Sequence, residues 1–360
     1  MANITEIIYF YSPLTDIPEL PECFAGLTAL PIAPSRVHMK IKGPLSMANA
    51  FRRVLLSEMP GYAISVPFDA YKYSENTDKF MSYNIVNARI ELLPLVPIIP
   101  EDVLTEVAFK LNVENKSATL MEVYAGDIEI MTKHKIRPIF NPTFKIADLQ
   151  PGKSLKIEGF KIESGVGLAK YNACCGAVCV PLDIEKEEDS ELLHSTRSGF
   201  KVSSQMACPK YHHVKFYIPA TYGEVAEVKA VLQRAVICLR NRLRNINLDD
   251  RDLYKIFEKD GRHEAVLKLP KETVTIGNLL VQYMYNLTDS NITATSTDGS
   301  HNEDVTINIV YSEPPKHVIA KAIVIIIADL DAISEDIKKL SVKKYSMYDY
   351  IKEFNASKKI

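Results

Sequence analysis

The sequence predicts an α+β fold: two related strand–helix units packed as a pseudo-two-fold pair, the first carrying a β-rich insertion. Three observations lead there. Residues 46–51 read Ser-Met-Ala-Asn-Ala-Phe and residues 275–280 read Thr-Ile-Gly-Asn-Leu-Leu, so hydroxyl, apolar, small, Asn and two apolar positions recur in the same order. Each hexapeptide follows a strand-like segment, and each is followed further on by a second apolar helix, over 222–244 and 316–340. Between the copies runs a series of short alternating segments broken by turn residues. Two related units on one chain are the covalent form of a dimer in which each unit's apolar helix face buries the other's.

Taken in order, residues 1–35 are rich in proline and predict an extended arm leading into a strand near 36–42. Ser46 has the right chemistry to cap the helix that follows, because its hydroxyl can accept an orphaned first-turn amide. Met47, Phe51, Val54, Leu55 and Met59 recur at helical spacing and give that helix one continuous apolar face, with Arg52 and Arg53 at its flank. Pro60-Gly61 ends it, glycine being suited to a left-handed cap. Short alternating runs at 63–67, 84–93, 107–113, 119–124, 156–162 and 173–180 predict the strands of the insertion.

A strand at 211–220 returns to the first unit. The helix over 224–243 then aligns Val228, Val231, Leu232, Ala235, Leu239 and Leu243 on one side. The second unit has strands at 264–269 and 305–310, a helix from Thr275, and a final helix. Residues 318–327 of that helix are β-branched enough to suggest a strand, yet Pro314-Pro315 before them and the charges after them favour helix. The expected domains are therefore 1–61 with 181–247, the insertion 62–180, a hydrophilic linker 248–261, the second unit 262–344, and a mildly basic tail 345–360.

The chain has 360 residues, 47% hydrophobic and 24% charged, a composition of folded domains rather than of disorder. A formal net charge of -2 argues against a protein whose main work is neutralising nucleic-acid phosphates. Six scattered cysteines without a framework and no signal-peptide pattern point to a reducing compartment, cytosolic or nuclear. The most apolar run, 318–328, is interrupted by Lys321 and falls short of the ~20 residues a membrane span needs, so no membrane association is expected.

Catalytic and metal patterns are sparse. Cys175-x3-Cys179 and Cys208-x3-His212, with Cys174 and His213 beside them, have zinc-like spacing. The first trio lies in an apolar run, however, where free cysteine behaves as a small buried hydrophobe, and no metal or other cofactor is expected. Asp249-Asp250-Arg251-Asp252 begins a charged linker, and nothing else offers the clustered carboxylates of two-metal polymerase chemistry. The Gly165-Val166-Gly167 segment lacks the strand–loop–helix context of a phosphate loop and reads as a tight connection. Arg234, Arg240, Arg242 and Arg244 are accounted for by solvent and the helix dipole.

The pattern hydroxyl-x-small-Asn-apolar-apolar-Arg-Arg with a closing Pro-Gly, carried by Asn49, Arg52, Arg53, Pro60 and Gly61, resembles the assembly helix of the alpha/D-type subunits of multisubunit RNA polymerases. Glu272-Thr273-Val274-Thr275-Ile276-Gly277-Asn278-Leu279-Leu280 resembles the signature of their smaller L-type partner, with Val274 where histidine is usual. The whole is similar to a fusion of the two, as found in large cytoplasmic DNA viruses. The resemblance implies a non-catalytic assembly platform of a DNA-directed RNA polymerase. Its expected partners are the two largest subunits and small subunits, with DNA and RNA met only through the complex, in host cytoplasm and virion.

Large-subunit docking would fall to Asn49, Arg52 and Arg53 and to Gly165, Gly167 and Lys170 of a loop that ends in Ala-Lys. Internal dimerisation would fall to Met47, Phe51, Leu55, Glu272, Gly277, Asn278 and Leu280. The cysteine-bound metal site of some D-type relatives is not carried over, since no cysteine lies between Gly61 and Tyr171. On the residues alone two other classes stay open: an enzyme using Cys174/Cys175 or His212/His213, and a scaffold outside transcription.

Overall fold

A computed structural model of the chain describes residues 2–11, 35–67, 82–96, 99, 101–132, 139–174, 176–181, 211–218, 225–248, 254–259, 262–270, 272–287, 293–298, 305–311 and 315–346. The acidic run 185–191, the 249–252 segment and most of the proline-rich arm lie outside them. The chain is α+β, as expected.

In chain order the elements are β1 (Asn3–Tyr11), β2 (Ser35–Lys42), α1 (Leu45–Arg53), a π-helical turn (Val54–Glu58) and β3 (Gly61–Ser65). Then come α2 (Tyr83–Glu91), α3 (Glu101–Glu106), β4 (Ala108–Glu114), β5 (Met121–Tyr124), β6 (Ile128–Met131), β7 (Lys145–Leu149), β8 (Ser154–Gly165) and β9 (Gly176–Pro181). The rest are β10 (Tyr211–Ile218), α4 (Val225–Arg244), β11 (Tyr254–Lys259), β12 (Arg262–Leu269), α5 (Val274–Leu287), β13 (Thr293–Asp298), β14 (Val305–Tyr311), α6 (Pro315–Lys339) and β15 (Lys343–Ser346).

One sheet has the order β15-β1-β2-β10-β9 and a second the order β11-β12-β14-β13. Helices α1, α4, α5 and α6 and the two sheets contribute to a single apolar core. It runs from Met39, Met47, Phe51 and Leu239 on one side to Leu267, Ile276, Leu280, Ile307 and Ile326 on the other. The insertion has its own core, in which Phe109 stacks on Phe160 with ring centroids 5.6 Å apart. Its strands form a four-stranded sheet, β3-β8-β4-β6, and a β5-β7 pair.

Helix α6 is helical through its β-branched run because the burial pattern has helical period: Val318, Ala322, Ile326, Leu330, Ile333 and Ile337 are all buried. Periodicity toward a core outweighs a weak local preference. The reverse error falls at 84–93, expected as a strand. It is helix α2, where Val86 and Ile90, four apart, are buried and Ile85 is exposed. Arg89 Nη1 ties this helix to the Ile146 carbonyl at 2.8 Å.

Three more expectations are corrected. β11 lies within the expected linker, pairing antiparallel with β12. β9, assigned above to the insertion, pairs with β10 in the first unit's sheet. The segment after α6 is not wholly tail, since β15 adds in parallel to β1, with Lys343 Nζ 2.6 Å from Glu6 Oε1. The segment after α6 is thereby stitched to β1.

Leu55 and Leu280 lie far apart in sequence but in one core. Leu55→Ala and Leu280→Ala should each cost about 2–5 kcal/mol. Each should also lower amide protection in both β2 and β12, as read by hydrogen exchange. Protection lost only in the substituted unit would mean that the two halves fold as separate cores.

Candidate assembly interface

Helix α1 starts two residues earlier than its hydroxyl suggested. Pro44, with extended backbone, takes the capping position, and its carbonyl accepts the amides of Met47 and Ala48 at 3.1 and 3.4 Å. Ser46 lies inside the helix instead, its Oγ buried with no hydrogen-bond partner. Met47, Phe51 and Leu55 are buried as expected. Past Arg53 the helix widens by one residue per turn, Met59 N–H reaching the Val54 carbonyl at 3.1 Å.

That widening ends at Glu58, where the two halves of the chain are joined by a polar cluster. Glu58 Oε1 accepts from Arg53 Nε at 3.1 Å and from Thr275 Oγ1 at 2.6 Å. Its Oε2 accepts from Arg242 Nη1 at 2.5 Å and from Thr273 Oγ1 at 3.1 Å. Arg242 also donates to Glu272 Oε2 through Nε at 3.0 Å and Nη2 at 2.5 Å, and through Nη2 to Thr273 Oγ1 at 2.9 Å. Thr273 caps α5: its Oγ1 accepts the Thr275 amide at 3.3 Å. The carboxylate at the end of the first signature helix therefore sits at the positive N-terminus of the second.

The side chains of Glu58, Arg242 and Glu272 are only 11%, 18% and 15% exposed, so solvent screens these contacts weakly. Arg242 is thus not the solvated charge expected of the helix end. Arg240 Nη1 likewise bonds Asp331 Oδ1 at 3.0 Å, and Arg234 donates to the Pro60 carbonyl and lies over the Tyr62 ring. Helices α4 and α6 run antiparallel, with Gln233 Nε2 on the Ser334 carbonyl at 2.7 Å and Lys229 Nζ on the Lys338 carbonyl at 3.0 Å.

The expected docking residues occupy the flank of α1 and a nearby connection. Asn49, Arg52 and Arg53 are half-buried. Arg52 Nε donates to Asn49 Oδ1 at 3.3 Å, and Arg53 is shared with Glu58. The 165–170 loop joins β8 to β9 and is brought close to the end of α1 by the Gly61–Gly165 pairing. Gly61 is needed here for close approach rather than for a left-handed cap. A Cβ on it would strike the Tyr171 carbonyl, and one on Gly165 would strike the Tyr171 ring. Lys170 bridges Glu163 Oε1 at 2.6 Å and Glu91 Oε2 at 3.5 Å, while Tyr171 Oη donates to Glu163 Oε1 at 2.6 Å. Lys170 therefore anchors the loop, and Val166, Gly167 and Leu168 form its exposed tip.

Of the internal residues, Gly277 and Leu280 are buried and Glu272 is in the cluster, but Asn278 is exposed. Glu58, Thr273 and the role of Arg242 escaped sequence reasoning. The only hint was Glu272 within the second signature, since pairs far apart in sequence leave no periodic trace. Cys174 is buried, and burial pushes the Cys179 thiol up, with Arg52 opposing it. His212 is buried and its Nε2 donates to the Gly43 carbonyl at 3.1 Å. Cys175, Cys208 and the His213 side chain lie outside the described residues. Among the described residues no three His, Cys, Asp or Glu side chains converge to hold a metal, and no helix is long and apolar enough to cross a membrane.

Burial alone would raise the Glu58 pKa, but the hydrogen bonds from Thr275 and Arg242, the Arg242 charge and the Arg53 bond outweigh it and hold the carboxyl below its ordinary 4.5. A carboxylate depressed on folding adds stability that is complete above its unfolded value and is lost as pH falls through the folded one. Glu58→Gln should cost roughly 1–3 kcal/mol near neutral pH. The difference from the unsubstituted chain should shrink steadily as pH falls below 4.5. Urea denaturation of both chains at stepped pH checks it; a constant gap would assign the loss to packing.

Comparison with known proteins agrees with this geometry. The family described as the RNA polymerase Rpb3/Rpb11 dimerisation domain matches residues 42–243, from the end of β2 through the insertion to the end of α4. The DNA-directed RNA polymerase RPB3-11 homolog of a Kenyan African swine fever virus isolate is 31% identical over 277 residues, covering 72% of this chain and 74% of the relative. That of a Namibian isolate is 31% identical over 275 residues with the same coverage. The DNA-directed RNA polymerase subunit Rpo3 of Methanocaldococcus jannaschii is 30% identical over 138 residues, 37% of this chain and 63% of that protein. With its two assembly helices joined in one core and this likeness running through most of its length, the chain belongs to the Rpb3/Rpb11 dimerisation family of RNA polymerase subunits.

Proposed function

We propose that this chain is the assembly platform of a DNA-directed RNA polymerase, itself non-catalytic, in which a D-like and an L-like unit fused in one chain pair intramolecularly. The observation that carries the reading is the continuous core shared by α1, α4, α5 and α6, locked by the Glu58–Arg242–Glu272 cluster. Two family helices that would otherwise meet between subunits meet within one molecule. Fusion sets the effective concentration of one unit around the other on the order of mM, so pairing does not wait for a second chain.

The first unit in this reading is built from β1, β2, α1, β9, β10 and α4, the second from β11 through α6, and the two are related by a pseudo-two-fold axis. The antiparallel α4–α6 pair and the α1–α5 contact support that relation. The insertion, from β3 through β8, stands apart with its own core.

The partners are the two large catalytic subunits, with small subunits completing the complex and nucleic acid reached only through it. The likeness to viral homologs supports a role in viral mRNA synthesis, in host cytoplasm and virion. Docking is assigned to Asn49, Arg52 and Arg53 on the α1 flank and to the loop carrying Gly165, Gly167 and Lys170. Arginine's planar fork of donors suits carboxylates and carbonyls on a partner surface.

Arg53 has a second duty at Glu58, so the cleaner test removes its neighbours. Asn49→Ala/Arg52→Ala should melt within about 0.5 kcal/mol of the parent, as surface changes usually do. It should lose recovery of the large subunits on co-expression, truncation of one side of a buried polar contact costing roughly 2–5 kcal/mol. Arg53→Ala should lower both melting and recovery. Full recovery by the double variant would move the docking face elsewhere, and failure of the parent chain to recover any large subunit would overturn the assembly reading.

A further inference from the structure

The matched hexapeptides define an equivalence between the two halves of the chain. With Thr275 set on Ser46, the same offset sets Glu272 on Gly43, Thr273 on Pro44 and Leu287 on Glu58. Every residue that the second unit contributes to the polar cluster, apart from the Thr275 hydroxyl, thus has a counterpart in the first unit that can do nothing of the kind. Glycine has no side chain, and proline has neither a hydroxyl nor an amide hydrogen. The reverse contact is also absent. Ser46, the counterpart of Thr275, is buried with an Oγ that has no hydrogen-bond partner. The residue that the equivalence offers it is Leu287, which is partly buried and packed on the shared core. One end of the pairing surface is charged and the other apolar.

We infer that the cluster of Glu58, Arg242, Glu272, Thr273 and Thr275 is the specificity determinant that makes the first unit pair with the second rather than with another copy of itself. The inference rests on the proposed pseudo-two-fold pairing. In the observed pairing, Arg53 and Arg242 are balanced by Glu58 and Glu272. If two first units paired, Gly43-Pro44 would stand where Glu272-Thr273 stands, and two arginines would share one carboxylate in a largely buried site. If two second units paired, Glu272 and both threonines would face Leu287, and the basic residues in the last turn of α6 are Lys338 and Lys339, which lack the planar fork by which Arg242 joins two carboxylates. The first of these pairs leaves a poorly solvated charge without its counter-charge and the second loses the arginine fork between two carboxylates, and breaking such a buried contact costs more than the right pair gains from it. A lock that works at one end only can tell the halves apart; a symmetric one could not. The stake is real for a fused chain, because two chains whose like units pair form dimers whose docking faces no longer match one pair of large subunits.

The test uses the full chain and reads oligomeric state by sedimentation velocity over a range of concentrations, with far-UV circular dichroism as the check on folding. The parent chain is expected to sediment as a monomer. Glu272→Arg gives the site three arginines against one carboxylate. It should keep its helical signal while raising the dimer fraction by on the order of tenfold, the effect of shifting one equilibrium by about 1.4 kcal/mol. Arg242→Glu/Glu272→Arg returns the site to charge balance and should restore the monomer. A Glu272→Arg chain that stays monomeric with parental melting overturns the inference. So does one that loses helix without dimerising, since the cluster would then serve stability alone, and so does a double variant that remains dimeric. Recovery of large subunits by the parent chain, measured in parallel, separates failure of this inference from failure of the assembly reading.

Discussion

The contact between α1 and α5 carries the apolar faces of two helices into one core, and most other features of the chain follow from it. Met47, Phe51 and Leu55 on one side and Ile276, Leu279 and Leu280 on the other are all within about one per cent of complete burial. Each helix lies on its own sheet, but a single sheet covers only one face of a helix. The remaining apolar surface is removed from water by the other unit, each buried side chain adding roughly 1.5–3 kcal/mol. The halves in this sense share one core, whereas the insertion has another, which closes around Phe109 and Phe160.

Upon this apolar contact the polar groups impose direction. Arg242 lies between two carboxylates from distant parts of the sequence, and Glu58 gathers donors from α1, α4 and the start of α5. Buried ion pairs add little net stability compared with apolar packing, but they are costly to break and so discriminate between arrangements. The π-helical turn fits this division of labour. One extra residue at the end of α1 changes the direction in which Glu58 leaves the helix, and such turns concentrate where a side chain must be re-aimed.

The proposed docking elements show the same economy of anchoring. Lys170 and Tyr171 converge on Glu163, and Lys170 also reaches Glu91, so the base of the loop is fastened to β8 and α2 while its tip stays exposed. Burial opposes the Lys170 charge, but the Glu163 and Glu91 carboxylates outweigh it and raise the pKa. On α1 the Asn49–Arg52 bond restricts a long side chain, and under the proposed docking that restriction would lower the entropy cost of binding.

Local pattern by itself determined the α+β class, the position and buried faces of α1 and α4, and the returning strand β10, while the repeat placed α5 and the flanking prolines and charges placed α6. Helical spacing of apolar residues is a property of short windows, whereas the β-branched run of α6 showed its helical burial period only in the structure. The repeat of Ser46–Phe51 at Thr275–Leu280 likewise pointed to two units, because six residues in one order are visible without any fold. Elements with weak amphipathicity were not legible: α2 buries only Val86 and Ile90 and was read as a strand, and β11 was hidden by the charges around it. Nor could any window assign Glu58 and Arg242 to one site, Gly61 to the path of Tyr171, or Lys170 to an anchor rather than a free contact. Each depends on groups brought together from distant segments, and only the closing of the shared core sets their separation, their exposure to water and therefore the strength of their charges.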